Sequence, residues 1–200
     1  VGADLVSRMV LDGHDVTVAA LDPPLDRVRS HVRFINLDRR DREVMSAALE
    51  HLEFDVVLDN IAFKPSDVEL FLEVMEGRIG RYVLTSSVDI YPASNARYYA
   101  ERHEVLSPSD LQKSPSGERY LRGKRGCEKV LRASTIPWSV VRPAMVFGLS
   151  DPVAPPPQML HGMGRTYGRS LFFPCRVVDC GPILLRQDER RVFSLVSSQD

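Results

Sequence analysis

The sequence has few of the residues that build metal centres or disulfide frameworks. Its three cysteines, Cys127, Cys175 and Cys180, are odd in number and lack zinc-ligand spacing. The five histidines are scattered and form no HExxH-like pair. We therefore expect no metal site, and ordinary thiols in a reducing, cytoplasmic setting.

Long apolar runs and an excess of one charge are also lacking. No apolar run approaches the roughly 20 residues that cross a bilayer, so we expect no membrane partner. The formal net charge of −1 gives no overall attraction to nucleic acid or to an anionic membrane surface. The apolar content of 44% is ordinary, so the composition predicts a globular domain with a buried core.

Short strand-like segments alternate with amphipathic segments along most of the chain. The β-branched segments predict strands at Asp15–Ala20, Val32–Ile35, Asp55–Asp59, Arg81–Ser87 and Trp138–Pro143. Apolar residues at three- and four-residue spacing predict helices at Asp41–Leu52, Ser66–Glu76 and Gly117–Ala133, and an initial helix that ends at Gly13. This alternation predicts an α/β fold with a parallel sheet covered on both faces. Because such sheets bind ligands beyond the carboxyl ends of their strands, the loops after Asp59, Ser87 and Pro143 are the candidate site.

Three motifs in register resemble those of the extended and atypical short-chain dehydrogenases/reductases, the NAD-dependent epimerase/dehydratase group. "TSSVDIY" is similar to the strand-end motif that supplies the active-site serine or threonine, and the match falls on Ser87. Tyr120 and Lys124 match the YxxxK motif, and "RPAMVFG" resembles RPxxVYG. A lone YxxxK is a weak signal, but its register with the two flanking motifs is fairly specific.

The resemblance implies a fold and a division of the chain. It implies a Rossmann-like, doubly wound parallel sheet over residues 1–148 and the start of a smaller C-terminal substrate lobe over residues 149–200. "SDPVAPPPQ" after Leu149 cannot continue a helix or a central strand, which agrees with that boundary. Gly2 would be the last residue of the family's glycine-rich loop. We expect both ends of the chain to be cut, and residues 91–117 to be mostly loop.

The resemblance also assigns catalytic roles to Ser87, Tyr120 and Lys124. A free tyrosine has a pKa of about 10 and is a poor base at neutral pH. A lysine ammonium four residues away, about one helical turn, lies on the same face and stabilises the phenolate, so Tyr120 could serve as general base and acid. Ser87 would orient the reacting oxygen by a hydrogen bond. In the family the lysine also binds the nicotinamide ribose.

The cofactor implied by the resemblance is NAD, with NADP not excluded. Asp22, two residues beyond the second-strand position Ala20, could reach the ribose hydroxyl, and Asp38 would meet the adenine. The full set of predicted cofactor-binding residues is Gly2, Asp22, Asp38, Asn60, Lys124 and Pro143. The predicted substrate-binding residues are Ser87, Tyr91 and Arg142, the last suited to a substrate phosphate.

Several functions stay open at this stage. We favour an epimerase acting on a nucleotide sugar over a dehydratase, because Asp89 has no adjacent glutamate. One alternative is a reductase of a small carbonyl compound. Another is a non-catalytic member that binds RNA or a protein, in which Tyr120 and Lys124 lie on a solvated basic helix and Ser87 is only a cap. A homodimer is expected by analogy, and nucleic acid is an unfavoured partner.

Overall fold

The computed structural model describes residues 2–24, 26–92, 104–107, 118–147 and 195–197. The helices described are α1 (Gly2–Leu11), α2 (Asp26–Arg29), α3 (Arg42–Leu49), α4 (Pro65–Val74) and α5 (Glu118–Ala133). The strands described are β1 (Thr17–Ala20), β2 (Arg33–Asn36), β3 (Phe54–Asp59), β4 (Ile79–Thr85), β5 (Trp138–Val141), β6 (Met145–Phe147) and β7 (Leu195–Ser197). A short 3-10 helix, Val88–Ile90, follows β4.

All strand pairs in the described residues are parallel. β1 pairs with β2, β4 lies between β3 and β5, and β6 pairs with β7. In the central sheet Tyr82 of β4 lies opposite both Val57 and Trp138. Parallel neighbours need a crossover connection, and α2, α4 and α5 lie in the β1–β2, β3–β4 and β4–β5 connections. The predicted α/β fold with parallel sheets and flanking helices is confirmed.

The chain divides into two compact units, residues 15–144 and residues 1–14 with 145–200. In the second unit the structure describes α1 and the β6–β7 pair. Gly13 ends α1 in the left-handed region, with φ +83°, which glycine adopts without a Cβ penalty. The predicted loop over residues 91–117 and lobe over residues 149–200 lie largely outside the described residues and stay predictions.

Two helices pack on the central sheet of the larger unit and form its main core. The members of this cluster come from the β3–α4 loop, α4, β4 and α5, and are Ala62, Val68, Tyr82, Leu84, Cys127 and Leu131. A second cluster joins the segment after β2 to α3 and α4 through Leu37, Met45, Leu49 and Met75. Apolar burial of this kind is the main favourable term in folding.

Helix α5 lies unusually close to the β3–α4 loop. A Cβ added to Gly123 would overlap the carbonyl oxygen of Phe63, and one added to Gly126 would lie 2.5 Å from Cγ of Pro65. The two glycines therefore allow the helix to approach the loop at the edge where the candidate site lies.

Neither a membrane-spanning helix nor a metal-binding cluster is found in the described residues. No described helix has both the length and the hydropathy that a membrane span requires. No cluster of three or more His, Cys, Asp or Glu side chains in the described part of the chain is arranged to hold a metal ion.

Candidate active site

The candidate site lies where β3, β4 and β5 end side by side. Asp59 of β3 pairs with Leu84, and Thr85 of β4 pairs with Val141. Hydrogen bonds connect the ends of these strands and the segments that follow them. Thr85 Oγ1, at the end of β4, donates a hydrogen bond of 2.6 Å to Oδ1 of Asn60, which follows β3. On the other side the Val88 amide donates to the Pro143 carbonyl. The parallel sheet thus brings together the three segments that the sequence motifs indicated.

Lys124 is buried at this edge. Its residue is 2% exposed, and Nζ donates hydrogen bonds of 2.8 Å to the carbonyl oxygens of Ala62 and Thr85. Nζ also lies 4.5 Å from the centre of the Phe63 ring, within cation–π range. Burial lowers the pKa of Lys124 because the charged form is desolvated. An ammonium has three N–H donors, and the third has no acceptor among the described residues.

Tyr120 lies on the same side of α5 as Lys124. The ring centre of Tyr120 is 5.9 Å from Nζ of Lys124 and 5.9 Å from the ring centre of Phe63. Its ring also packs on the small cluster of Ile90 and Leu121. The structure therefore brings Tyr120 and Lys124 together, and the alternative in which both are solvated does not hold for Lys124.

Ser87 is buried, with 6% of the residue exposed, and begins the 3-10 helix. Its Oγ accepts a hydrogen bond from the Asp89 amide at 3.2 Å and donates to the Asp89 carboxylate at 3.2 Å. Ser87 is thus a cap, one of the two roles that the sequence left open. Its catalytic role stays a prediction.

The two residues predicted to bind substrate beyond Ser87 contact each other. Arg142 makes a bidentate ion pair with Glu128 of α5, at 3.0 and 2.7 Å, and donates to the Tyr91 hydroxyl. Both partners of the pair are largely buried, with side chains 12% and 6% exposed. Arg142 therefore joins the end of β5 to α5 and to the loop after β4. Its contact with a substrate phosphate stays a prediction.

The remaining predicted cofactor residues are spread along the chain. Gly2 is the first residue of α1, in the smaller unit. Asp22 is exposed two residues after β1. Asp38 follows β2 and accepts three hydrogen bonds from Arg40, which lower the pKa of its carboxyl to about 2. The roles assigned to these residues stay predictions.

Sequence reasoning missed two buried ion pairs beside the site. Asp59 ends β3 and pairs with Arg39, and Glu128 pairs with Arg142. The position of Asp59, an acid at the end of an apolar strand, indicates a buried carboxylate that needs a partner. Glu128, four residues after Lys124 and eight after Tyr120, continues their helical face and could also have been found. Arg39 stands in an ordinary charged loop and carried no signal.

Comparisons with known proteins place this geometry among related folds. No family model matches the chain. A curated relative, the chloroplast stem-loop binding protein of 41 kDa b of Arabidopsis thaliana, is 24% identical over 161 residues. That match covers 74% of this chain and 40% of the relative, so the chain spans about two fifths of its length.

Two solved structures match a larger share of the chain than the curated relative does. Pal from Bacillus thuringiensis has a TM-score of 0.73 and 16% identity, and the match covers 99% of this chain and 66% of Pal. A dTDP-glucose 4,6-dehydratase from Streptomyces venezuelae, crystallised with NAD, has a TM-score of 0.67 and 19% identity, covering 100% and 67%. A putative epimerase from Burkholderia cenocepacia has a TM-score of 0.59 and 25% identity, covering 76% and 52%. The structural neighbours include epimerases, a dehydratase and short-chain dehydrogenases/reductases, and this chain has their Rossmann-like α/β fold.

Proposed function

We propose that this chain is the dinucleotide-binding part of an NAD(P)-dependent enzyme of the epimerase type that acts on a nucleotide sugar. The buried Lys124 ammonium is the observation that carries the proposal. It lies at the carboxyl edge of the parallel sheet, beside Tyr120, and one of its three N–H donors has no acceptor in the part of the chain that the structure describes. Dinucleotides bind at this edge in doubly wound sheets.

The surroundings of Lys124 fit a nicotinamide dinucleotide. Its third N–H is suited to a ribose hydroxyl, and Ile61 and Phe63 are exposed apolar side chains on the adjacent loop, at 52% and 48%. Exposed apolar groups beside a polar donor are typical of a binding site for a flat ring on a sugar. NAD is the favoured cofactor because the dehydratase neighbour was crystallised with it, and NADP stays open.

The proposed chemistry assigns each side chain one task. Lys124 stabilises the Tyr120 phenolate, which removes a proton from the sugar hydroxyl and, as the resulting phenol, returns it. Ser87 orients the reacting oxygen by a hydrogen bond. A bound nicotinamide dinucleotide supplies reversible hydride transfer at the sugar carbon. Substrate contacts by Tyr91 and Arg142, and a homodimer, are part of the same proposal.

The first test uses the full-length protein and compares Lys124→Ala, Tyr120→Phe and Lys129→Ala. Any nucleotide released on denaturation is identified by mass spectrometry, and NADH affinity is measured by fluorescence. We expect Lys124→Ala to weaken NADH binding about tenfold or more, since a hydrogen bond from a charged group is lost. We expect Tyr120→Phe to retain binding and lose turnover of a nucleotide sugar by about a hundredfold or more.

Lys129→Ala is the matched control, because it removes an exposed lysine from the same helix. It should change neither binding nor turnover. Absence of released nucleotide together with no binding of NAD(H) or NADP(H) would contradict the proposal. Net consumption of NADH with a small aldehyde or ketone, and no activity on nucleotide sugars, would instead favour the alternative of a small-carbonyl reductase.

RNA binding is the second candidate, and two observations favour it. The curated relative is a stem-loop binding protein. The outer face of α5 is basic, with the exposed residues Arg119, Arg122, Lys129 and Arg132. Clustered positive charge on one helix face is the usual footprint of phosphate contact. The net charge of −1 and the buried position of Lys124 keep this candidate second.

A further inference from the structure

The loop between β3 and α4 is held by two aspartates that cap four consecutive backbone amides. Oδ1 of Asp59 accepts hydrogen bonds from the amides of Ile61 and Ala62, at 3.0 and 2.9 Å. Oδ2 of Asp67 accepts from the amides of Phe63 and Lys64, both at 2.9 Å. Because all four amides are satisfied by carboxylates of the two flanking elements, the backbone conformation of the loop is strongly constrained.

Asp59 is in turn held by Arg39. The guanidinium donates two hydrogen bonds to the Asp59 carboxylate, at 2.9 and 2.7 Å, and a third to the Asp67 carbonyl at 3.0 Å. The hydroxyl of the buried Tyr82 also donates to Asp59. Burial alone would raise the pKa of Asp59, but the bonds from Arg39 outweigh it, so the carboxyl stays ionised with its pKa below the usual value.

This loop is the surface on which Lys124 rests. The Ala62 carbonyl accepts a hydrogen bond from Nζ, and the Phe63 ring lies beneath the ammonium. At Gly123 the helix α5 lies directly against the Phe63 carbonyl, because a Cβ added there would overlap the carbonyl oxygen. A change in the path of residues 60–64 would therefore move the acceptor and the ring together.

We infer that the Asp59–Arg39 ion pair is a positioning device for Lys124, acting through the β3–α4 loop and setting the direction of the lysine's remaining N–H donor. Asp59 is on this view a positioning residue and does not touch the cofactor. The expected effect on cofactor binding rests on the proposed function. The position of Lys124 can be measured without any cofactor.

The decisive variant is Asp59→Asn in the full-length protein. The substitution retains the size of the side chain and one acceptor oxygen, but its amide N–H₂ cannot accept, so the Arg39 guanidinium loses its counter-charge and one of its two hydrogen bonds to this side chain. Glu73→Gln is the matched control, because the Arg42–Glu73 pair is also a bidentate contact between an arginine and a carboxylate but is exposed, at 55% and 59%. Unfolding temperature, NADH affinity and the titration of Lys124 by NMR of ¹³C-labelled lysine are measured for each variant.

The direction in which the Lys124 pKa moves separates positioning from simple electrostatics. The charged or titratable groups around Lys124 include Asp59, Asp67, Arg39 and the Cys127 thiol, and the centre of the Tyr120 ring lies 5.9 Å from Nζ. If the loop stays in place, loss of the Asp59 charge lowers the pKa of Lys124 further. If the loop is released, Nζ becomes hydrated and its pKa rises towards the ordinary lysine value.

We expect Asp59→Asn to raise the pKa of Lys124 and to weaken NADH binding about tenfold or more, and Glu73→Gln to change neither. A lowered or unchanged Lys124 pKa, even with a lower unfolding temperature, would overturn the inference. If Asp59→Asn does not fold, Arg39→Lys keeps the charge but not the bidentate contact, and the same expectations apply to it. If the wild type binds no NADH, the proposed function fails while the titration of Lys124 still decides the inference.

Discussion

At the scale of single residues, the candidate site depends on buried charges whose partners come from distant parts of the chain. Lys124 takes its acceptors from the β3–α4 loop and from β4, and Asp59 is paired with Arg39, twenty residues earlier. A buried charge without such partners is very costly, so each of these side chains requires the others to be in place. The network consequently couples stability of the fold to geometry of the site.

The Glu128–Arg142 pair gives a prediction at this scale. Removing one partner leaves the other charge buried and unpaired, so Glu128→Leu or Arg142→Met alone should lower the free energy of unfolding by about 3–5 kcal/mol. The double variant should lose much less, because a well-packed apolar pair often replaces a buried ion pair without cost. Urea unfolding followed by circular dichroism measures all three. Equal, additive losses would show that the side chains do not act as a pair.

At the scale of elements, α5 has three sides with different surroundings. Leu121, Cys127 and Leu131 face the core, and burial raises the pKa of the Cys127 thiol to about 11, so it is a packing residue rather than a nucleophile. Lys124 and Glu128 face the strand ends. The remaining side is the basic surface. The glycines of α5 fix how closely this helix approaches the site.

Gly123→Ala tests that close approach. Alanine is the better helix former by about 1 kcal/mol, but its methyl group would overlap the Phe63 carbonyl. We expect a net loss of about 1–3 kcal/mol, because backbone must move to make room. Gly2→Ala is the control, since nothing lies within 4 Å of the added Cβ there. A stabilised Gly123→Ala variant in thermal unfolding would show that α5 can move away without penalty.

At the scale of the whole molecule, the two candidate functions differ in how they depend on charge. The protein as a whole has no positive excess, although one helix face does. Weak phosphate contact by that face would be non-specific and strongly salt-dependent. In the proposed function, binding of a dinucleotide depends instead on the strand-end edge, which the basic face of α5 does not include.

A salt titration with a stem–loop RNA makes this difference measurable. We expect a dissociation constant no tighter than about 10⁻⁶ M near physiological salt, the range of non-specific binding. Arg119→Glu combined with Lys129→Glu should reduce the slope of log affinity against log salt by about two. Much tighter binding of RNA, unaffected by added NAD(H), would move the second candidate function to first place.

The sequence by itself determined the order and type of the longer elements and the side of α5 that carries Tyr120 and Lys124, but the short α2, β6 and β7 were not predicted. These features follow from local periodicity and residue type, which a single segment contains, so strands and helices were predicted with small errors at their ends. The motifs also located the three strand-end loops, because parallel strands place their carboxyl ends at one edge.

Only the tertiary structure decided which partners meet at that edge. That Lys124 is buried, that Ala62 and Thr85 accept its hydrogen bonds, and that Arg39 reaches Asp59 all depend on strand register and helix packing. Such contacts join segments far apart in the chain, and a basic residue in a charged loop looks the same whether it is solvated or paired. The physical reason is that burial and pairing are properties of the packed molecule, whereas periodicity is a property of each segment.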